Sequence, residues 1–246
     1  MFSLRLAAAG VALLLAGCTS GTTASHHGNA SPKPVLAGDS EAGPPPIVLT
    51  DTSAARLSLS LRLDVGGFDS TTRDKTEISV MFTSAGRLVR LRGDERITCN
   101  GIVVPLHGTT FDLTLPTATF AGRPVNCRYV SGRSEATFTF TAPPAPALVS
   151  PVDNARLSRS RKTLVSFRVG GQSSEFYVIA IGPDRKAWTY PEPGVTQVTL
   201  NTSAFSPGSG SVALRQSFTL PDLHAPAFHS ATGQGDMTQT VVVTWL

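Results

Sequence analysis

The chain has 246 residues, 15% charged and 41% apolar, with a formal net charge of +4 and a pI near 9.3. The charge divides evenly: residues 47–142 carry 11 Lys/Arg and 9 Asp/Glu, and residues 147–246 carry 8 and 6, so no stretch concentrates cations as a nucleic-acid binder does. Length allows one large or two modest domains, and after the first twenty residues no apolar run is long enough for a membrane-spanning helix.

The chain opens with one cation, Arg5, then the apolar run Leu6–Leu15, then Ala16 and Gly17. This three-part pattern reads as a secretory signal peptide over residues 1–17, too short to cross a bilayer as a helix. Cys18 stands at the cleavage point. Leu15-Ala16-Gly17-Cys18 resembles the lipobox of bacterial lipoproteins; an ordinary signal peptide with a chance cysteine is the alternative. The resemblance implies that the Cys18 thiol is joined to diacylglycerol, that the preceding bond is cut, and that further acylation, as palmitate, follows. It places the chain in the bacterial cell envelope, outside the cytoplasm, with the membrane as a partner. Two or more acyl chains make the anchor stable, since each buried methylene contributes ~0.8 kcal/mol. Cys99 and Cys127 then remain as an even pair in an oxidising compartment, where a disulfide is expected and two separate buried thiols are the other reading. No ligand pair at zinc spacing accompanies them.

Residues 18–46, from the lipidated cysteine through His26-His27 to Gly43-Pro44-Pro45-Pro46, read as a disordered tether, too polar to offset its ordering entropy. As a coil it spans ~30 Å.

Alternation begins at Ile47. Leu57, Leu59, Leu61 and Leu63 alternate with Ser58, Ser60 and Arg62, the period of a half-buried strand. Further strands are expected at 78–83, 88–91, 97–99, 102–104, 111–115, 125–130 and 136–140, with a two-residue hairpin at Asn100-Gly101. Strands at this spacing without a helical period predict a β-sandwich over residues 47–142.

A Pro-rich linker at 143–147 precedes a second set over 148–246: strands at 148–150, 164–169, 176–181, 187–190, 195–200, 211–218 and 240–246. The fold class is therefore all-β, two tandem antiparallel sandwiches. Ser150-Pro151, Val165-Ser166-Phe167 and Val243-Thr244-Trp245 give the second module a resemblance to the immunoglobulin-like and fibronectin type III-like domains of bacterial surface proteins. The first module departs from antibody domains, because no Trp lies between its two cysteines. Such a resemblance implies a fold and transfers no functional residue.

Nucleophile elbows, Ser-x-x-Lys, zinc-protease and phosphate-loop motifs are absent from the sequence, so no catalytic residues are assigned, no cofactor is expected, and an enzyme is not. The stretch Pro221–His229 gathers Asp222, His224 and His229 and reads either as a polar inter-strand loop or as a recognition surface; no metal site is assigned to it. Asp64, Asp69 and Asp74 invite a calcium reading, but their spacing matches no EF-hand. Arg92-Gly93-Asp94 looks like an integrin-binding tripeptide and equally like a glycine turn between strands. Trp188 and Tyr190, with Tyr177, form either a platform for sugar or part of the core. The expected function is a non-catalytic binding or scaffolding module for an envelope protein or cell-wall partner, with carbohydrate recognition or a spacer role without its own ligand as alternatives.

Overall fold

The computed structural model describes residues 44–69, 71–117, 122–159, 162–170 and 175–246. The expected signal peptide, Cys18, His26-His27 and the tether as far as Gly43 lie outside the described residues. The described residues belong to one compact unit.

The described residues hold eighteen strands and a short 3-10 turn at Ala54–Arg56. Before the Pro-rich linker these are β1 (Ile47–Val48), β2 (Ser58–Val65), β3 (Lys75–Ser84), β4 (Arg87–Arg90), β5 (Arg96–Cys99), β6 (Ile102–Val104), β7 (Leu106–His107), β8 (Thr110–Pro116), β9 (Pro124–Ser131) and β10 (Ser134–Thr141). After it come β11 (Ala147–Ser150), β12 (Ala155–Leu157), β13 (Thr163–Arg168), β14 (Glu175–Ile181), β15 (Lys186–Thr189), β16 (Gln197–Leu200), β17 (Gly208–Thr219) and β18 (Ser230–Trp245). The alternation read along Leu57–Leu63 is the strand β2, with Leu59, Leu61 and Leu63 buried and Ser60 and Arg62 on the outer face. Asn100 and Gly101 take φ of +49° and +81°, the left-handed pair that a tight hairpin between β5 and β6 requires.

The fold is all-β. One eleven-stranded sheet runs β1-β4-β3-β2-β18-β17-β14-β15, with β8, β7 and β12 attached. A four-stranded sheet, β10-β9-β5-β6, faces its first half, and a three-stranded sheet, β11-β13-β16, faces its second. Most pairings are antiparallel; β1 with β4, β12 with β18 and β18 with β2 are parallel. Between the first pair of layers lie Leu59, Leu61, Leu63, Ile78, Val80, Phe82, Phe111, Tyr129, Phe138 and Phe140. Between the second lie Val165, Phe167, Val178, Leu214, Val243 and Trp245. Burying each phenylalanine contributes ~2–3 kcal/mol, so these two clusters dominate the stabilisation.

The Pro-rich segment at 143–147 falls between the two clusters, but the β17–β18 ribbon serves both. Residues Ser230–Met237 of β18 pair with all of β2, and Val243–Trp245 pair with β12. Phe218, Leu220, Phe228 and Met237, all on or beside the ribbon, are buried in the first cluster. Gly235 permits this approach, because a Cβ there would lie 1.9 Å from the Leu63 carbonyl oxygen. The segment after β2 then crosses onto the outer face of the ribbon. Thr240 Oγ1 donates to the Gly67 carbonyl at 2.6 Å and Ser211 Oγ to the Phe68 carbonyl at 3.3 Å. Arg73 Nη1 meets Asp153 Oδ1 at 3.2 Å. Near the linker, the Leu148 N–H donates to Gln239 Oε1, and the buried Gln216 amide bonds both backbone groups of Gly170. The two sandwich cores are thus parts of one hydrogen-bonded body.

Cys99 and Cys127 form a disulfide between β5 and β9, directly opposite one another, with Cα atoms 4.1 Å apart. The bridge lies within one sheet, not between two as in antibody domains. It closes a 28-residue separation. On the chain-entropy account such a loop stabilises by ~3.5 kcal/mol. The Cys99→Ala, Cys127→Ala double variant is accordingly expected to lower the urea midpoint; an unchanged midpoint would mean the reduced chain is already restrained there.

Candidate functional site

The outer face of the long sheet carries one continuous row of functional side chains across five adjacent strands. It begins with Arg62 and Asp64 on β2, passes through Asp236 on β18 and Arg215 and Ser217 on β17, reaches Tyr177 on β14, and ends at Tyr190, just after β15. The pairing aligns them: Asp236 lies opposite both Asp64 and Ser217, Arg215 lies opposite Tyr177, and Val178 opposite Thr189 brings Tyr190 beside Tyr177.

The polar half of the row is internally paired except at Asp64 Oδ1, which is buried without a hydrogen-bond partner. Asp236 Oδ2 accepts from Arg62 Nη2 at 3.0 Å and from Arg215 Nη2 at 2.5 Å, and its Oδ1 accepts from Ser217 Oγ at 2.6 Å. Arg62 Nε donates to Asp64 Oδ2 at 2.7 Å. Side-chain exposure is 12% for Arg62, 17% for Arg215 and 11% for Asp236, so these charges sit in a screened-off layer where pairing is obligatory. Burial by itself raises the Asp236 pKa, but the hydrogen bonds from Arg215 and Ser217 and the charges of Arg215 and Arg62 outweigh it and hold the carboxyl below its ordinary range. The two guanidinium groups are committed to carboxylates within the protein.

The aromatic half is open. Tyr177 and Tyr190 lie with ring centroids 5.6 Å apart, and Phe68 stacks on Tyr177 at 6.2 Å. The Arg215 guanidinium carbon stands 5.5 Å from the Phe68 ring centroid, a cation–π contact joining the two halves. Burial pushes the Tyr177 phenol up, so it stays neutral through the physiological range. Alternation along β15 turns Ala187 to the core and Trp188 outward, on the same face as Tyr190. Trp188 is 39% exposed and Tyr190 66%. Exposed rings beside half-buried ones give a surface suited to stacking and amphipathic contact.

The expected aromatic group of Trp188, Tyr190 and Tyr177 is thus assembled on one face, and the structure adds Phe68 and Arg215. No sequence signal marks these two, because the contact joins residues far apart in the chain and Phe68 sits in a loop. The other sequence candidates do not assemble. His224 and His229 are both exposed, and buried Phe228 lies between them in the chain. The His224 backbone exchanges two 2.9 Å hydrogen bonds with Thr139, and the His229 N–H donates to the Leu57 carbonyl at 2.9 Å. The segment Pro221–His229 is therefore pinned to the first sandwich, a packing device more than a free loop. Asp69 folds back on its own turn, accepting from the Thr71 hydroxyl and from the Thr71 and Thr72 N–H groups, while Asp64 faces Arg62 and Asp74 lies 3.5 Å from Arg73. Among the described residues no three potential metal ligands come together. Arg92-Gly93-Asp94 is an exposed turn whose first two backbone N–H groups donate to buried Glu95.

No protein-family model and no curated protein matches the chain. Among solved structures it is similar to a chimeric titin Z1Z2 functionalised with an exogenous KLER peptide from decorin, at 13% identity over 79% of this chain and 96% of that one, with a TM-score of 0.23. It is also similar to a three-Ig fragment of titin in an E-to-A mutated variant, at 10% identity over 78% and 64% of the two chains, with a TM-score of 0.24. At such TM-scores neither likeness bears on function, and the sandwich architecture rests on the strand pairing itself.

Proposed function

We propose that this chain is a lipid-anchored, non-catalytic module of the bacterial envelope that binds a protein or cell-wall partner through the aromatic face around β14 and β15. The observation that carries the reading is the pairing of exposed Trp188 and Tyr190 with a rigid support. Tyr177 packs against Tyr190, Phe68 stacks on Tyr177, and Arg215 of the ion-paired layer lies over Phe68. Prearranged aromatic side chains lose little conformational freedom on binding, which favours affinity per unit of contact. Disulfide, lipid anchor and envelope location form one consistent picture, since the oxidising compartment that a lipobox implies is where Cys99 and Cys127 pair.

The test is capture from envelope extract on the immobilised chain, comparing wild type with Trp188→Ala, Tyr190→Ala. A partner retained by wild type and reduced at least tenfold with the double variant is the expected result; loss of two exposed aromatic anchors costs ~1.5 kcal/mol or more of binding energy. Equal retention by both moves the binding face elsewhere. The exposed ring faces also favour a second reading, carbohydrate recognition, because the C–H face of a pyranose stacks on an open tyrosine or tryptophan. A glycan array blank for wild type removes that reading and leaves the protein partner.

A further inference from the structure

The long sheet ends in two very different edges. At one end is β15 with Trp188 and Tyr190. At the other is β1, paired in parallel with β4. Three arginines line that second edge beside the point where the described chain begins. Arg87 Nη2 donates to the Pro45 carbonyl at 2.9 Å, Arg90 stands opposite Val48, and an Arg92 guanidinium N–H donates to the Leu49 carbonyl. All three are exposed, and among the described residues none makes an ion pair. Val48 between them is 66% exposed. The nearby acids do not cancel this charge. Asp51 is taken by Arg56 at 3.1 Å, and Glu95 is buried and accepts from the Arg92 and Gly93 N–H groups. Among the described residues that leaves exposed Asp94 against three guanidinium groups.

We infer that the β1–β4 edge, through Arg87, Arg90 and Arg92, rests on anionic lipid headgroups of the membrane that holds the anchor. The inference rests on the reading of Cys18 as the lipidated residue. The segment that leads from Cys18 enters the fold at Pro44–Pro46, against Arg87, so this edge stands where the tether joins the fold. Tethering makes the contact intramolecular, and modest electrostatic attraction then suffices to hold it. The eight strands of the main path, spaced ~4.8 Å apart, set the aromatic edge ~34 Å from the basic one. Docking of the basic edge therefore turns Trp188 and Tyr190 away from the bilayer and toward a partner.

Hydrogen exchange of the lipidated full chain on vesicles tests this, using phosphatidylcholine alone or mixed with phosphatidylglycerol. On the mixed vesicles the amides of residues 47–49 and 87–93 are expected to exchange more slowly than on phosphatidylcholine, and raising the salt is expected to abolish the difference. Among the described residues the Arg90 side chain makes no hydrogen bond or ion pair, so Arg90→Gln is expected to weaken the protection about fivefold, with Arg90→Lys restoring it. Equal exchange on both vesicle types overturns the inference while leaving the anchor intact. So does protection by a soluble polyanion without protection on anionic vesicles. Failure of the anchor is a separate result, read as wild-type protein that washes off phosphatidylcholine vesicles as readily as Cys18→Ala.

Discussion

Phe228→Ala is expected to destabilise the entire folded unit by about 4 kcal/mol, the usual range for truncating a buried phenylalanine. Phe228 lies late in the chain, yet its ring stacks on Phe82 at 5.8 Å, meets Tyr129 at 5.9 Å and meets Phe138 edge-on at 6.0 Å. All three partners belong to the first sandwich. Removing the ring leaves a cavity among rigid aromatic neighbours that have little room to collapse. Urea unfolding followed by hydrogen exchange is the measurement. Wild type should lose protection in β2, β9, β14 and β17 together, and the variant should do so at lower urea. A fragment ending at Ala142 should lack protected amides, because it loses β18 as the neighbour of β2 along with Phe218, Leu220, Phe228 and Met237. Native protection in that fragment, or a variant that unfolds like wild type, would show that the ribbon is dispensable to the first core.

The second large effect is expected at Asp236. Asp236→Ala removes the carboxylate shared by Arg62 and Arg215, leaving Arg62 with Asp64 alone and the poorly solvated Arg215 without its carboxylate, a loss of about 3–5 kcal/mol. Asp236→Asn keeps the shape and separates charge from packing. The carboxyl's pKa is lowered in the folded state, so its stabilising contribution is fully present above the unfolded carboxylate value near ~4 and is lost as pH falls through the folded value. Wild type should therefore lose stability on acidification below about pH 4, and Asp236→Asn should show a flatter acid limb. A variant with the same acid limb as wild type would place the acid sensitivity in other carboxylates.

Much of this architecture is written locally. The leucines of β2 alternate with polar residues, so its buried face is fixed by the period of a strand whatever lies opposite. Asn100-Gly101 takes the left-handed conformations that few other pairs tolerate, which sets the β5–β6 hairpin. The cysteine pair needed only an oxidising compartment and a facing register. The alternation of Ala187, Trp188, Thr189 and Tyr190 likewise put both large rings on one face, and the structure finds them there.

The first half of β18 was not legible. Residues 230–237 read Ser-Ala-Thr-Gly-Gln-Gly-Asp-Met, a composition of loops, and no apolar alternation marks them. They form a strand because β2 pairs with all of them and β17 pairs on the other side from Gln234 onward, and Gly233 and Gly235 are there to let neighbouring groups come close. The same non-local pairing decides the candidate site. Arg62 and Asp236 are 174 positions apart, and neither has a local motif that announces the other. The sequence by itself determined most of the strands, the disulfide pair, the aromatic positions and, by its lipobox-like start, the expected anchor. Only the tertiary structure decided that one ribbon completes both sandwiches, that His224 and His229 flank a core phenylalanine, and that a basic edge and an aromatic edge stand at opposite ends of one sheet. Local side-chain alternation encodes the former; the latter depend on backbone pairing between distant segments, which alternation does not specify.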